Sequence, residues 1–398
     1  MVAAHDDHDP VGWTEDPEGR GTWSLIFACL TTTFLCTWIV IHPRVDARQT
    51  TRVLHKVALS IKTVIAPELI AVEGAQEWAQ AQRIIRQCAK YTNGEFKLVH
   101  AFYLGMFGIR YRVSDFSEDR AFTKILWPTQ YVWLLEQGLV SWEDREAWGL
   151  CEDTINDKSN SDWIAKVLAI FGVGQFTVQS VIRISKGLPL APLESMTLGY
   201  IPQFGLAYIF WWLKPKDIEM PTIVQLPTMS ADQRKTFDSL AYTDVFDNEG
   251  KPEQASLKNI WRLTPRDFEI ELFEERQARE KGRYGEGTIL SHWDPDLYRS
   301  RLWPVAMFFA VSFGALHLVS WNFNFPTSAE LWLWRISAIV SMVGLLVFMQ
   351  FEKVALRWRD PVTLVCLLSG ALYMLSRVVA VAEAVLSFRA ADAAIYQT

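Results

Sequence analysis

Hydrophobic residues in this chain gather into long runs separated by polar stretches. A membrane crossing needs about 20 mostly apolar residues, and windows of this kind lie at 24–43, 57–75, 97–113, 163–185, 190–213, 302–321, 329–351 and 361–388. The pattern predicts an all-α, polytopic integral membrane helical bundle of about eight transmembrane helices. Seven remain if one of the two weakest windows fails: the second carries Lys62, Pro67 and Glu68, and the third is short. Residues 1–22 read as a polar tail and 23–398 as a single transmembrane helical domain with polar insertions at 114–162 and 214–300, both expected on the cytosolic face. The first insertion reads as an amphipathic helix with a stripe of Trp127, Trp133, Trp142 and Trp148, and the second holds a surface helix from Asp267 to Lys281.

Composition adds that 50% of residues are hydrophobic while 21% are charged, which suits a bundle with a substantial extramembrane part. A net charge of -6 and no basic patch interleaved with aromatics remove nucleic acid from the expected partners. Cys29, Cys36, Cys88, Cys151 and Cys366 are scattered without a CxxC pair, so neither a disulfide framework nor a zinc site is expected. The run from His5 to Asp9 has the side chains to bind a divalent metal, but a stretch of this kind is more often a solvated tail; the expectation is no metal and no organic cofactor. Residues 1–21 lack the basic start of a signal peptide, and the first apolar stretch is expected to persist as an anchor. Arg44, Arg48, Arg52 and Lys56 after the first window, and Lys353, Arg357 and Arg359 before the last, point to the cytosol. That places both termini in the lumen of the endoplasmic reticulum or another endomembrane, although Arg83, Arg86 and Lys90 fall on the wrong side of this scheme.

Ionisable residues inside the apolar windows are the candidate chemistry. Glu68, His100, Arg183, Glu194, His317, Arg335, Arg377 and Glu383 fall alternately near a window's end and the next one's start. Eight crossings would put all of them in one leaflet, and charged groups at that depth tend to face a protein interior or a wet cavity. Gln175, Gln179 and Arg183 recur every four residues and predict one polar stripe on the fourth window; interhelical hydrogen bonding explains the glutamines equally well. Glu194 follows Pro192 and suits either a helix-start cap or an acid. Glu383 lies deeper, where a carboxyl lacking a partner is suited to proton donation, unless Arg335 or Arg377 pairs with it.

Several strings are similar to those of a large set of polytopic fungal membrane proteins: GTWSLIFACLTTTFLCTWIVIH from Gly21, DKSNSDWIAKVLAIFGVGQFTVQSVIRISKGLPL from Asp157, WWLKPK from Trp211, and the stretch from His317 to Arg335. The likeness covers nearly the whole chain. Within that set the chain resembles the membrane-bound terpene cyclases of meroterpenoid pathways, the ascofuranone-forming type of secondary metabolism. The resemblance implies an isomerase that opens an epoxide on a prenylated substrate to form a ring or cyclic ether.

The residues bear on that implication separately. A diphosphate-ionising cyclase needs Asp-rich magnesium ligands; no DDxxD run exists, and Asn156 and Asp157 miss the other common motif's spacing. Protonation is then the expected trigger, with Glu68, Glu194 or Glu383 as acid and His100 or His317 as base. Arg183, Gln179, Tyr103, Trp321, Asn322, Arg335 and Arg377 are the expected substrate-binding residues. Aromatic faces stabilise a developing carbocation by about 0.5–2 kcal/mol each, although Trp and Tyr also mark every membrane interface. The expected partners are a lipophilic prenylated small molecule and the bilayer. The alternative is an ion channel or small-molecule transporter with a polar intramembrane site, or a scaffold docking through residues 214–300. A pore would carry polar residues through both leaflets. Nothing in the sequence fixes the oligomeric state.

Overall fold

The computed structural model describes residues 10–15, 20–43, 45, 49–113, 122–159, 163–240, 303–351 and 361–397. The described chain is mostly helical and runs α1 (Thr22–Val40), α2 (Gln49–Ile65), α3 (Pro67–Cys88), α4 (Leu98–Gly105), β1 (Ile109–Val113), β2 (Phe122–Ile125), α5 (Pro128–Glu136), α6 (Glu152–Lys158), α7 (Trp163–Ser185), α8 (Pro192–Phe210), β3 (Thr222–Val224), α9 (Ala231–Leu240), α10 (Trp303–His317), α11 (Ser328–Phe351), α12 (Pro361–Leu386) and α13 (Ala393–Tyr396). The expected helix at 267–281, the His5–Asp9 run, and Arg44, Arg48, Lys353, Arg357 and Arg359 lie outside the described residues.

Four helical segments among the described residues are long and apolar enough to cross a membrane: Thr22–Val40, Val167–Ser185, Ser328–Val347 and Leu368–Ala390. The expectation of eight spans is corrected accordingly. The window at 57–75 breaks between α2 and α3, because Pro67 has no N–H to donate and its ring pushes Ala66 out of helical geometry (φ -135, ψ 71). The window at 97–113 gives only the eight residues of α4, then turns through Phe107 (φ 66) into β1. Gly108 permits that turn, since a Cβ there would sit 2.3 Å from the Tyr103 ring. The helix α8 packs centrally against α1, α3 and α10, and Glu194, Tyr200 and Gln203 make it too polar to qualify as a span. Gln203 donates to the Phe309 carbonyl at 2.6 Å and to Ser312 Oγ at 2.8 Å, tying α8 to the shorter apolar helix α10.

The polar insertion that follows also departs from expectation. Pro128 starts α5, Gly138 (φ 64) ends it, and Gly149 (φ 64) turns the chain again, so no single amphipathic helix forms. Trp142 and Trp148 are buried in a core with Phe96, Tyr131 and His100 instead of lining a surface stripe. The two insertions share one sheet of order β2-β1-β3, in which β1 pairs antiparallel with β2 and parallel with β3.

One end of the bundle gathers distant parts of the chain. Val11 N–H donates to the Ala391 carbonyl at 2.9 Å, Thr22 Oγ1 lies 2.8 Å from the Tyr396 hydroxyl, and Arg389 pairs with Glu330. The start of α1, the end of α7, the starts of α8 and α11 and the end of α12 all meet there. At the opposite end of α1 the WWLKPK string closes off exposed helical carbonyls. Lys216 Nζ donates to Ile39 at 2.7 Å, while Lys214, buried over the Trp211 ring, pairs with Glu77.

Candidate functional site

The α2–α3 break creates the site. A helix that stops leaves carbonyls without intrahelical donors, and those of Val64 and Ile65 face the bundle interior. The Tyr200 hydroxyl, from α8, donates to Val64. Arg377 Nε, from α12, donates to Ile65 at 2.8 Å, and the Tyr373 hydroxyl lies 3.4 Å from the same carbonyl. Tyr373 also donates to Glu68 Oε1 at 2.7 Å; Glu68 sits in the first turn of α3, where the helix dipole favours a carboxylate.

His317 completes the group. Its Nδ1 lies 2.7 Å from the Phe313 carbonyl, so Nδ1 carries the proton and Nε2 is left as an acceptor, facing Arg377 Nη1 at 3.3 Å. The Phe313 ring lies 4.0 Å under the guanidinium, and the Trp334 ring is 5.3 Å from the imidazole. Glu68, His317 and Arg377 are 2%, 1% and 2% exposed, so the group is shielded from water. Two polar atoms of this group, Glu68 Oε2 and Arg377 Nη2, are buried without a hydrogen-bond partner. Buried polar atoms are nearly always satisfied, and exceptions call for an explanation.

The remaining expected site residues lie elsewhere. Arg183 binds carbonyls of the 391–397 segment, donating to Ile395 at 2.9 Å and Ala394 at 3.2 Å, to Gln397, and to Pro189 at 3.2 Å. Glu194 caps α8, accepting from Ala191 N–H at 3.0 Å, and pairs with Arg20. Arg335 is held by the Trp321 carbonyl through two donors at 3.0 and 2.9 Å and lies over the Trp321 and Trp332 rings. Asn322 is exposed. Glu383 is buried with Oε2 unpartnered, six residues beyond Arg377 and so about 9 Å further along α12. Apart from His100, these polar groups therefore occupy two levels, one at mid-bundle and one at the end where residues 10–22 meet residues 387–397, in place of the single layer the window pattern predicted. The expected glutamine stripe also splits: Gln175 and Gln179 are exposed while Arg183 is buried, because eight residues advance the helix by about 80°.

His100 and Tyr103 belong to the α4–sheet unit. The Tyr103 hydroxyl lies 2.7 Å from Thr222 Oγ1. His100 Nδ1 accepts Lys97 N–H at 2.9 Å as a helix cap, and its ring packs on Phe96 and Trp142 at 5.3 and 5.4 Å. Burial holds this imidazole down from the ordinary 6.5 to about 4, with Lys97 and Arg145 adding to the effect against an opposing pull from Glu152. A histidine kept neutral in the folded state binds fewer protons than the unfolded chain between pH 6.5 and 4. Its contribution to stability is thus complete above pH 6.5 and is lost as pH falls to 4, by roughly 3 kcal/mol at the limit. Thermal unfolding followed from pH 7.5 to 4 should show this loss, and His100→Gln, which retains a capping oxygen, should flatten it. An unchanged slope in the variant would assign the acid sensitivity to other groups.

Tyr200 and Tyr373 escaped the sequence reading, although both are polar residues well inside apolar helices, the signal that had singled out the charged residues. Over residues 1–234 the chain matches a family of proteins described as of unknown function (DUF8562). No curated protein and no solved structure matches it.

Proposed function

We propose, for a chain that belongs to the DUF8562 family, that it is a membrane-embedded isomerase acting on a lipophilic, prenylated and epoxidised substrate, with Glu68 as acid and His317 as base. The observation that carries this reading is the convergence of Glu68, His317, Arg377 and Tyr373 in a dry interior where one carboxylate oxygen lacks a partner. Tyr373 occupies Oε1, which leaves Oε2 as the place for a transferable proton.

In this reading Glu68 Oε2 gives its proton to the epoxide oxygen as a C–O bond opens. The substrate's own hydroxyl or alkene attacks the electron-poor carbon, and the proton released by ring closure passes to His317 Nε2, displacing the Arg377 Nη1 contact there, and then back to Glu68. Arg377, seated on the Phe313 ring, orients His317 through Nε2 before that transfer, and the Trp334 ring beside the imidazole offers quadrupole stabilisation to the developing cation. No atom is gained or lost overall. A substrate with this much apolar surface reaches the site from the bilayer, which accounts for an enzyme built inside one. Glu194 and Arg183, already engaged by a cap, an ion pair and backbone carbonyls, have structural roles here.

The test is incubation of the purified full chain, in lipid nanodiscs, with epoxidised prenyl-phenols. The expected product is an isomer of unchanged mass with the epoxide opened. A substrate-independent ionic current in liposomes without any such product would overturn the reading in favour of conduction.

A further inference from the structure

Of the four candidate spans, Val167–Ser185 of α7 is the least buried; among the described residues it packs mainly against α1, with α8 and the 394–397 segment meeting its end. Its buried residues Ala169, Phe176, Ser180 and Arg183 fall within a narrow arc, with Arg183 engaged by the 394–397 segment. The opposite side is exposed. Leu168, Phe171, Gln175, Val178 and Ile182 recur at alternating spacings of three and four, the repeat by which two helices interlock side chains along a left-handed crossing. Five such positions span about 80° of arc, and Gln179 lies at its edge.

Two glutamines on that surface need explanation. No hydrogen bond holds either side chain among the described residues, and both lie between Val167 and Ser185, in the apolar segment. A primary amide facing hydrocarbon forfeits its hydrogen bonds, at a cost of kilocalories per mole. Lipid tails supply neither donor nor acceptor, so lipid does not satisfy this face. Another amide does, because each carries two donors and one acceptor oxygen, and interhelical amide pairs of this kind hold transmembrane helices together. A two-fold axis beside α7 would bring Gln175 opposite Gln175 within an apolar seam formed by the same residues from each copy.

We infer that a second copy of this chain docks on the Leu168–Phe171–Gln175–Val178–Ile182 face of α7, making a membrane dimer closed by glutamine pairs. The inference is independent of the catalytic reading, since none of these residues belongs to the Glu68–His317 group.

Two measurements test it. In single-molecule photobleaching of labelled full-length protein diluted into lipid vesicles, the wild type should bleach in two steps, and Gln175→Leu/Gln179→Leu should raise the dissociation constant roughly tenfold or more. Under mild oxidation, Val178→Cys should form an intermolecular disulfide. Ile170→Cys, exposed but about 120° from the seam, should not, and neither should the wild type with its native cysteines. Single-step bleaching of the wild type with no Val178→Cys crosslink would overturn the proposal, whether lipid or a different protein then covers the face. Crosslinking equal at positions 170 and 178 would overturn it too, as random collision.

Discussion

Glu68→Gln should reduce turnover of an epoxidised prenyl substrate by roughly 10²- to 10⁴-fold, the range that a positioned general acid contributes, while the bundle keeps its stability. The substitution is nearly isosteric. Tyr373 can still donate to the remaining carbonyl oxygen at position 68, so the contact at Oε1 survives while the proton proposed for Oε2 is gone. The stability readout gives the prediction its edge. If Glu68 served instead as the buried counter-ion of Arg377, the amide would leave that guanidinium uncompensated, at a cost of about 3–5 kcal/mol. Thermal unfolding and turnover measured on one preparation separate the outcomes. Lost activity with an unchanged melting temperature supports the acid, whereas lost stability with retained turnover removes it.

Arg377→Ala should be the most destabilising single change in the bundle interior, by about 2–5 kcal/mol from lost donors and an unfilled void. It removes the donor to the Ile65 carbonyl and the group facing His317 Nε2, and it opens a void over Phe313. The Ile65 carbonyl matters most. Pro67 stops the helix two residues later, so no helical N–H replaces the guanidinium there and only the long 3.4 Å contact from the Tyr373 hydroxyl remains; a buried acceptor so poorly satisfied costs about 1–3 kcal/mol by itself. Arg377→Lys keeps the charge, but a single ammonium lacks the planar fork that reaches Ile65 and His317 together, so an intermediate loss is expected. Denaturant unfolding in detergent checks the series, and wild-type stability for Arg377→Ala would show that the α2 end is satisfied by other means.

Some of this was legible in the residues. Glu68, His317 and Arg377 stood out because ionisable groups in apolar runs are costly, and Pro67 beside Glu68 marked where a helix is disturbed. The pairing among them was not legible, since it depends on α3, α10 and α12 meeting in space. Tyr200 and Tyr373 blended into the aromatic residues expected at an interface. The window at 97–113 misled because an apolar run of that length reads alike whether it is one helix or a short helix followed by a strand; Arg110 and Arg112 alternating with Tyr111 in β1 was the discriminating signal. The tryptophans between 127 and 148 were spaced like a stripe, but Pro128, Gly138 and Gly149 cut the chain into short pieces that turn them inward. Arg183 and its two glutamines illustrate another limit: four-residue spacing holds a face for one turn and drifts away from it over two.

The contact between Thr22 and Tyr396 joins positions 374 residues apart in sequence. Arg183, in the middle of the chain, finds several of its acceptors only in residues 394–397. During synthesis, therefore, the first helix emerges long before its finishing partners exist, and a midchain cation must wait in a half-built assembly for carbonyls still inside the ribosome. Closure of this end is a late, non-local event. Loss of residues 394–397 would strand the guanidinium, which makes this late-made segment a keystone on which the earlier-made helices depend.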